Sequence, residues 1–283
     1  MLYEYVRVFR GDNGTLSDLS LINQDKTVSV PLDIVAAEDY IYVAQNYAFN
    51  NLFFQVSTAN DVAATINFEY WDGKAWREVV DILDGTSTAG VTMAKSGVVQ
   101  FVPNDRFSWN RMGYTDRGSH PAELDDITLY DMYWLRISFS ADLNAATELR
   151  RMTYSFSANQ KIEEYDITLK DYITEFQDES ETSKTNWDDE IITASELVVA
   201  DMKNRSVIVN RGQVLRFDDV FLPTTYKTLE LIYSNLRGDF KEKLSDVRAA
   251  YKTSFPARFT FDRKGDGRVT MQELNNSVIK MVR

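Results

Sequence analysis

Tyr133-Trp134-Leu135-Arg136-Ile137-Ser138-Phe139 decides the fold class. Tyr133, Leu135, Ile137 and Phe139 alternate with Trp134, Arg136 and Ser138. Side chains two apart share one face of a strand, so this is the signature of half-buried β structure. The same period recurs on either side. Ile66, Phe68 and Tyr70 alternate with Asn67, Glu69 and Trp71, and Met152, Tyr154 and Phe156 alternate with Thr153 and Ser155. Shorter apolar runs stand at Tyr40-Ile41-Tyr42-Val43, Leu52-Phe53-Phe54 and Val98-Val99-Gln100-Phe101-Val102. Asp72-Gly73, Asp84-Gly85 and Ser96-Gly97 supply turns between the runs. Many short strands with frequent turns predict an antiparallel, jelly-roll-like β-sandwich over residues 1–157. Residues 103–130 read as one long loop, a length usually tied to function or flexibility.

The period changes after Ser157. Leu169, Tyr172, Ile173 and Phe176 follow the helical spacing i, i+3, i+4, i+7. A second helix is predicted from Trp187 to Lys203, with Ile191, Ala194, Ser195, Val198 and Met202 inward. Residues 206–222 are less regular and hold one strand-like run, Val207-Ile208-Val209. A third helix is predicted from Thr224 to Leu236, ended by Gly238. A fourth follows from Phe240 to Thr253, capped by Asp239 and stopped by Pro256. Phe259 to Phe261 reads as a short strand, and Met271 to Val282 as a last amphipathic segment. The expectation is an α+β, two-domain protein: a β-sandwich over 1–157, then a helical bundle with a short β-hairpin over 158–283.

Composition narrows the function. With 44% hydrophobic and 26% charged residues, the 283-residue chain is ordinary globular protein. It has no cysteine, which excludes disulfide scaffolds, thiolate nucleophiles, iron–sulfur clusters and Cys-ligated zinc. One histidine, His120, excludes any site that needs two. No apolar run approaches the roughly 20 residues of a membrane span. The start, Met1-Leu2-Tyr3-Glu4-Tyr5, lacks an apolar signal region, so synthesis and first folding in a cytoplasm are expected. The net charge of -12 would repel nucleic acid from the chain as a whole. It is unevenly spread: residues 1–157 carry -9, residues 158–201 carry -10 and residues 202–283 carry +7. An acidic block followed by a basic block marks either an interaction surface or two solvated helix faces.

Few motifs carry chemistry. Asp262, Asp266, Gly267 and Glu273 fit positions 1, 5, 6 and 12 of an EF-hand loop, but Lys264 puts a cation at position 3 and Pro256 precludes the incoming helix. The plainer reading is a Gly-Asp-Gly turn between a strand and a helix, and no metal or other cofactor is expected. Trp71 and Trp76 flank the Asp72-Gly73 turn. Such a pair either stacks on a sugar or packs across a hairpin. His120 sits in Gly118-Ser119-His120-Pro121, where an exposed loop histidine is the default over a catalytic base. The glycines form no phosphate-binding pattern. Arg258, Arg263, Lys264 and Arg268 make a basic patch open to nucleic acid or an acidic partner, without the interleaved aromatics of a single-strand binder. No enzyme activity is expected.

The C-terminal third resembles the head-to-tail adaptor (connector, or neck) family of tailed bacteriophages. The residues that carry this are Thr225-Tyr-Lys-Thr-Leu-Glu-Leu-Ile-Tyr-Ser-Asn-Leu236, then Phe240 to Tyr251, then Phe259-Thr-Phe-Asp-Arg-Lys-Gly-Asp-Gly267. The helix opening at Trp187-Asp-Asp-Glu-Ile-Ile is similar to the family's first helix. Phe49-Asn-Asn-Leu-Phe-Phe, Glu69-Tyr-Trp-Asp-Gly-Lys-Ala-Trp76, Ser96-Gly-Val-Val-Gln-Phe101 and Tyr133-Trp-Leu-Arg-Ile-Ser138 are similar to β-sandwich modules of virion and tail proteins. Family adaptors are often much shorter, so the added β domain is a departure. The resemblance implies a homo-oligomeric ring, usually of twelve copies, beneath the portal protein. Genomic DNA passes through it without sequence specificity, tail or stopper proteins dock below, and no membrane is involved. The location implied is the neck of the virion, after assembly in the host cytoplasm. A ring of about twelve copies would carry roughly -144, a total that lets DNA slide rather than stick where the lumen shares that sign. Met271, Leu274, Val278, Lys280, Met281 and Arg283 are the expected portal-docking tail. The alternatives are a tail or baseplate component, or a carbohydrate-binding module using Trp71 and Trp76.

Overall fold

In the computed structural model, which describes residues 6–25, 27–103, 109–112, 124–125, 127, 132–176, 185–205, 207–214, 217–236 and 238–256, the chain is α+β, with two antiparallel sheets and a set of helices. The strands are β1 (Arg7–Asp12), β2 (Thr15–Asp18), β3 (Val30–Pro31), β4 (Tyr40–Gln45), β5 (Asn51–Thr58), β6 (Ile66–Trp71), β7 (Trp76–Glu78), β8 (Asp81–Asp84), β9 (Gly97–Val102), β10 (Arg111–Met112), β11 (Met132–Phe139) and β12 (Glu148–Thr153). One sheet runs β2-β1-β4-β11-β6-β7, with β10 also paired to β11; the other runs β3-β12-β5-β9-β8. The chain divides into two compact units between Thr153 and Tyr154.

Alternation builds the first unit. Val8, Ile41, Val43, Phe68, Tyr70, Leu135 and Ile137 join Leu52, Phe54, Val99, Phe101 and Met152 in one apolar core drawn from both sheets. Their neighbours in sequence point the other way, as strand geometry requires. Phe9, Tyr42, Ala44, Trp71 and Trp134 form a second cluster with Met112, Leu124 and Met132. Of the residues read as the long loop, the described ones thus include a two-residue strand and two of this cluster's members, Met112 and Leu124. The turn between β1 and β2 is Asn13-Gly14, with φ of 42° and 85°. Asn and Gly adopt that left-handed backbone at least cost, which closes a two-residue hairpin.

The alternation of Met152, Tyr154 and Phe156 spans the boundary. The strand stops at Thr153, and Tyr154 and Phe156 belong to the apolar cluster of the second unit with Val198, Val199, Met202 and Tyr251. That unit holds α1 (Asn159–Tyr165), a 3-10 stretch over Ile167–Phe176, α2 (Asp188–Asn204), α3 (Phe217–Leu236) and α4 (Lys241–Ser254). The inward residues expected on α2 are all fully buried: Ile191, Ala194, Ser195, Val198 and Met202. Asp188, Asp189 and Glu190 fill its first turn, where carboxylates oppose the helix dipole favourably.

Three expectations are corrected. The third helix begins at Phe217, seven residues before Thr224, and runs through Pro223. Proline at that depth costs the bond its absent N–H would make, but burial of Val220, Thr224 and Thr225 offsets it. Val207-Ile208-Val209 is not a strand; Val207 and Ile208 are buried in an irregular segment and Val209 is exposed. The residue capping α4 is Phe240, with no side-chain cap, rather than Asp239.

Candidate interaction surfaces

The β6–β7 hairpin brings the two sequence-predicted tryptophans together. The Asp72 carboxylate accepts hydrogen bonds from the backbone N–H of Lys74 (2.8 Å) and Ala75 (2.7 Å) and from Arg77 Nε (2.6 Å). Burial would raise its carboxyl pKa, but these donors outweigh that and lower it. The tightened turn sets Trp71 directly opposite Trp76, ring centroids 5.5 Å apart and near edge-to-face. Trp71 is 1% exposed and belongs to the cluster of Phe9, Tyr42 and Trp134 rather than to the core drawn from both sheets. Trp76 is half-buried, and the Arg136 guanidinium lies 5.0 Å from its ring centre and 4.6 Å from that of Tyr40. Glu69 Oε2 holds Arg136 in place, 2.8 Å from Nε and 2.6 Å from Nη2. The pair packs near edge-to-face across its hairpin, and the Arg136 guanidinium lies over the Trp76 ring. Tyr40, Arg136 and Glu69 had no distinctive sequence signal, because only the pairing of β4, β11 and β6 makes them neighbours.

In the helical unit the charged blocks meet one another. Asp166 Oδ2, from the acidic block, accepts from Lys243 Nζ (2.6 Å) on α4 and from the Tyr233 hydroxyl (2.8 Å) on α3. Its Oδ1 accepts from the Thr168 hydroxyl (2.6 Å) and amide (3.1 Å). Burial favours the neutral acid, but these donors outweigh it and hold the carboxyl at about 2. Burial and the adjacent carboxylate push the Tyr233 hydroxyl well above the usual phenol range. Glu230 on α3 pairs with Lys227 and with Arg248 on α4, both 3.0 Å away. The Tyr251 hydroxyl donates to Asp201. Part of the charge asymmetry is therefore spent inside one chain, fastening α4 to its neighbours.

Among the described residues, no group of three or more His, Cys, Asp or Glu side chains is placed to hold a metal ion, and no helix is long and apolar enough to cross a membrane. The basic patch (Arg258, Arg263, Lys264, Arg268), the tail (Met271, Leu274, Val278, Lys280, Met281, Arg283), the Asp262–Glu273 loop and His120 lie outside the described residues. No family model matches the chain, and no curated protein matches it.

Proposed function

We propose that the protein is a structural component of a tailed-phage virion, a head-to-tail adaptor that forms a ring beneath the portal. In this reading the two sheets stack as a jelly-roll-like sandwich, and the helices form a bundle completed by a hairpin near Gly267. The observation that carries it is the order of helices and their late aromatics. Helix α2 opens after Trp187, α3 ends on Leu229-x-x-Ile232-Tyr233-x-x-Leu236, and α4 carries Tyr251 near its end, in the order of the adaptor-like stretches of the sequence. Residues 271–283 dock on the portal, and tail-side proteins bind the opposite face. A tail or baseplate component is the competing reading; the burial of Trp71 disfavours a sugar-binding module.

Negative-stain imaging of the protein mixed with the portal of its own phage tests this. Rings stacked on the portal are expected. Deletion of residues 271–283 should abolish stacking while the β unit keeps its near-UV signal. Stacking unaffected by the deletion overturns the tail's role, and no stacking by the intact chain overturns the adaptor role.

A further inference from the structure

Asn13-Gly14 is the one place in the sequence where glycine follows asparagine. Both residues are exposed, at the tip of the β1–β2 hairpin. The Asn13 backbone N–H donates to Asp39 Oδ1 (3.3 Å), but its side-chain amide makes no hydrogen bond among the described residues. The Gly14 N–H donates to no described group, and nothing stands within 4 Å of where a Gly14 Cβ would lie. The comparable turns are locked. Asp72, before Gly73, is held by the Lys74 and Ala75 amides and by Arg77. Asp84, before Gly85, accepts from the hydroxyls of Thr86 and Thr92 at 2.6 Å each. Buried Asn60 uses both ends of its amide, on the Val62 and Thr92 carbonyls and on the Val62 and Asn144 N–H groups. Asn13 alone combines a loose, exposed amide with an open backbone nitrogen one residue on.

We propose that Asn13 is a site of spontaneous covalent modification, converting to isoaspartate and aspartate through a cyclic imide with water as co-reactant. Hydroxide takes the Gly14 amide proton, and that nitrogen attacks Asn13 Cγ. The new N–Cγ bond forms, the Cγ–Nδ2 bond breaks, and Nδ2 leaves as ammonia. Water then opens the five-membered ring at either of its two C–N bonds. One opening gives aspartate, and the other gives isoaspartate, whose main chain runs through Cβ and Cγ. One water is consumed, one ammonia is released, and nothing is oxidised or reduced. Glycine matters because a Cβ on the next residue would crowd the attacking nitrogen. Ring closure requires the Asn13 backbone to leave its tight turn, so the reaction draws on hairpin opening. That opening costs little: β2 has four residues, three of them exposed, and pairs among the described residues with β1 alone. Conversion sets a new carboxylate beside Asp12 and Asp39, and isoaspartate lengthens a two-residue loop. Loop length fixes register, so the pairing of Gly11 with Leu16 and Arg10 with Ser17 loosens, and with it the packing of Leu16 on the aromatic cluster. The site is the same whether or not the chain forms a ring.

The test incubates the full, folded chain at mildly alkaline pH in water enriched in heavy oxygen, then maps its peptides by mass spectrometry. The Asn13 peptide should be the first asparagine peptide to change. It should split into two products, each with one heavy oxygen, and isoaspartate should exceed aspartate. The rate should rise with hydroxide concentration. Gly14→Ala should slow conversion at least about tenfold. Alanine also strains a turn with φ of 85°, so the two chains are compared in urea as well, where the turn is gone and the difference should persist. Amide exchange along β2 should quicken about tenfold in the converted chain. Conversion in urea but not in the folded chain would show that the hairpin locks the site, and overturns the proposal. Earlier change at another asparagine, products without isoaspartate, or equal rates for Gly14→Ala and the parent in urea overturn it too. Unaltered exchange along β2 overturns the loss of register.

Discussion

Asp166 shows how a single carboxylate ties three elements together, and its ionisation gives the first prediction. Its carboxyl sits at about 2 in the folded chain against 3.8 ordinarily. The stabilisation is therefore complete above about pH 4 and is lost as pH falls towards 2. Asp166→Asn should cost about 1 kcal/mol at pH 7, a figure discounted because Lys243 is half in solvent. The variant should also lose less stability than the parent between pH 5 and 2, measured by urea midpoints. Equal acid sensitivity of the two chains would mean that Asp166 is not held down by its donors. Gly97 makes a different kind of residue-scale demand. A Cβ there would collide with the Gly85 carbonyl oxygen, and one on Gly85 with the Val98 carbonyl oxygen, because the β8 and β9 backbones pass too closely. Gly97→Ala should destabilise by about 2 kcal/mol or more, since backbone rather than a flexible side chain must give way. A thermal melt within a degree of the parent's would show that the strands can part.

At the scale of elements, buried hydroxyls fix the segment that follows β12 against α2 and α3. Ser195 Oγ donates to the Ile191 carbonyl (2.9 Å), accepts the Phe156 N–H (3.2 Å) and lies 3.1 Å from Ser155 Oγ. Ser157 meets Thr225 at 3.1 Å. Ser195→Ala strands the Phe156 N–H in an apolar setting, so a loss of about 1–3 kcal/mol is expected. Thr193→Ala, exposed on the same helix, should change stability by less than about 0.5 kcal/mol; equal effects in urea denaturation would remove the seam from the account. The helical period marked Ser195 as inward, and strict alternation marked the faces of β6 and β11, because both signals are local. The Pro223 helix was not legible. Residues 206–222 read as less regular, and tertiary burial of Val220 is what overrides the local cost of Pro223. The Lys243–Asp166 pair lies 77 residues apart in sequence, and the cation above Tyr40 and Trp76 comes from a third strand. No window of sequence contains either. The β1–β2 hairpin was not read from the sequence, although its Asn13-Gly14 turn is a local signal for one.

At the scale of the whole molecule, the question is whether charge draws copies together or holds them apart. Read from sequence, an acidic block and a basic block suggest that one copy's acids meet the next copy's bases. The structure weakens that suggestion, because Lys243 and Arg248 of α4 already pair with Asp166 and Glu230 of their own chain. What remains between copies is dominated by a net charge of -12 on each. Like-charged subunits repel over a distance set by the Debye length, about 30 Å at 0.01 M salt and about 8 Å at 0.15 M. In the proposed adaptor reading, ring formation on a portal should therefore improve as salt rises across that range, since screening relieves this repulsion. Counting stacked rings in negative stain at the two ionic strengths measures this directly. Rings that fall away as salt is added would reverse the argument. They would place the attractive charge on basic residues beyond Pro256, and make that segment the adhesive of the assembly.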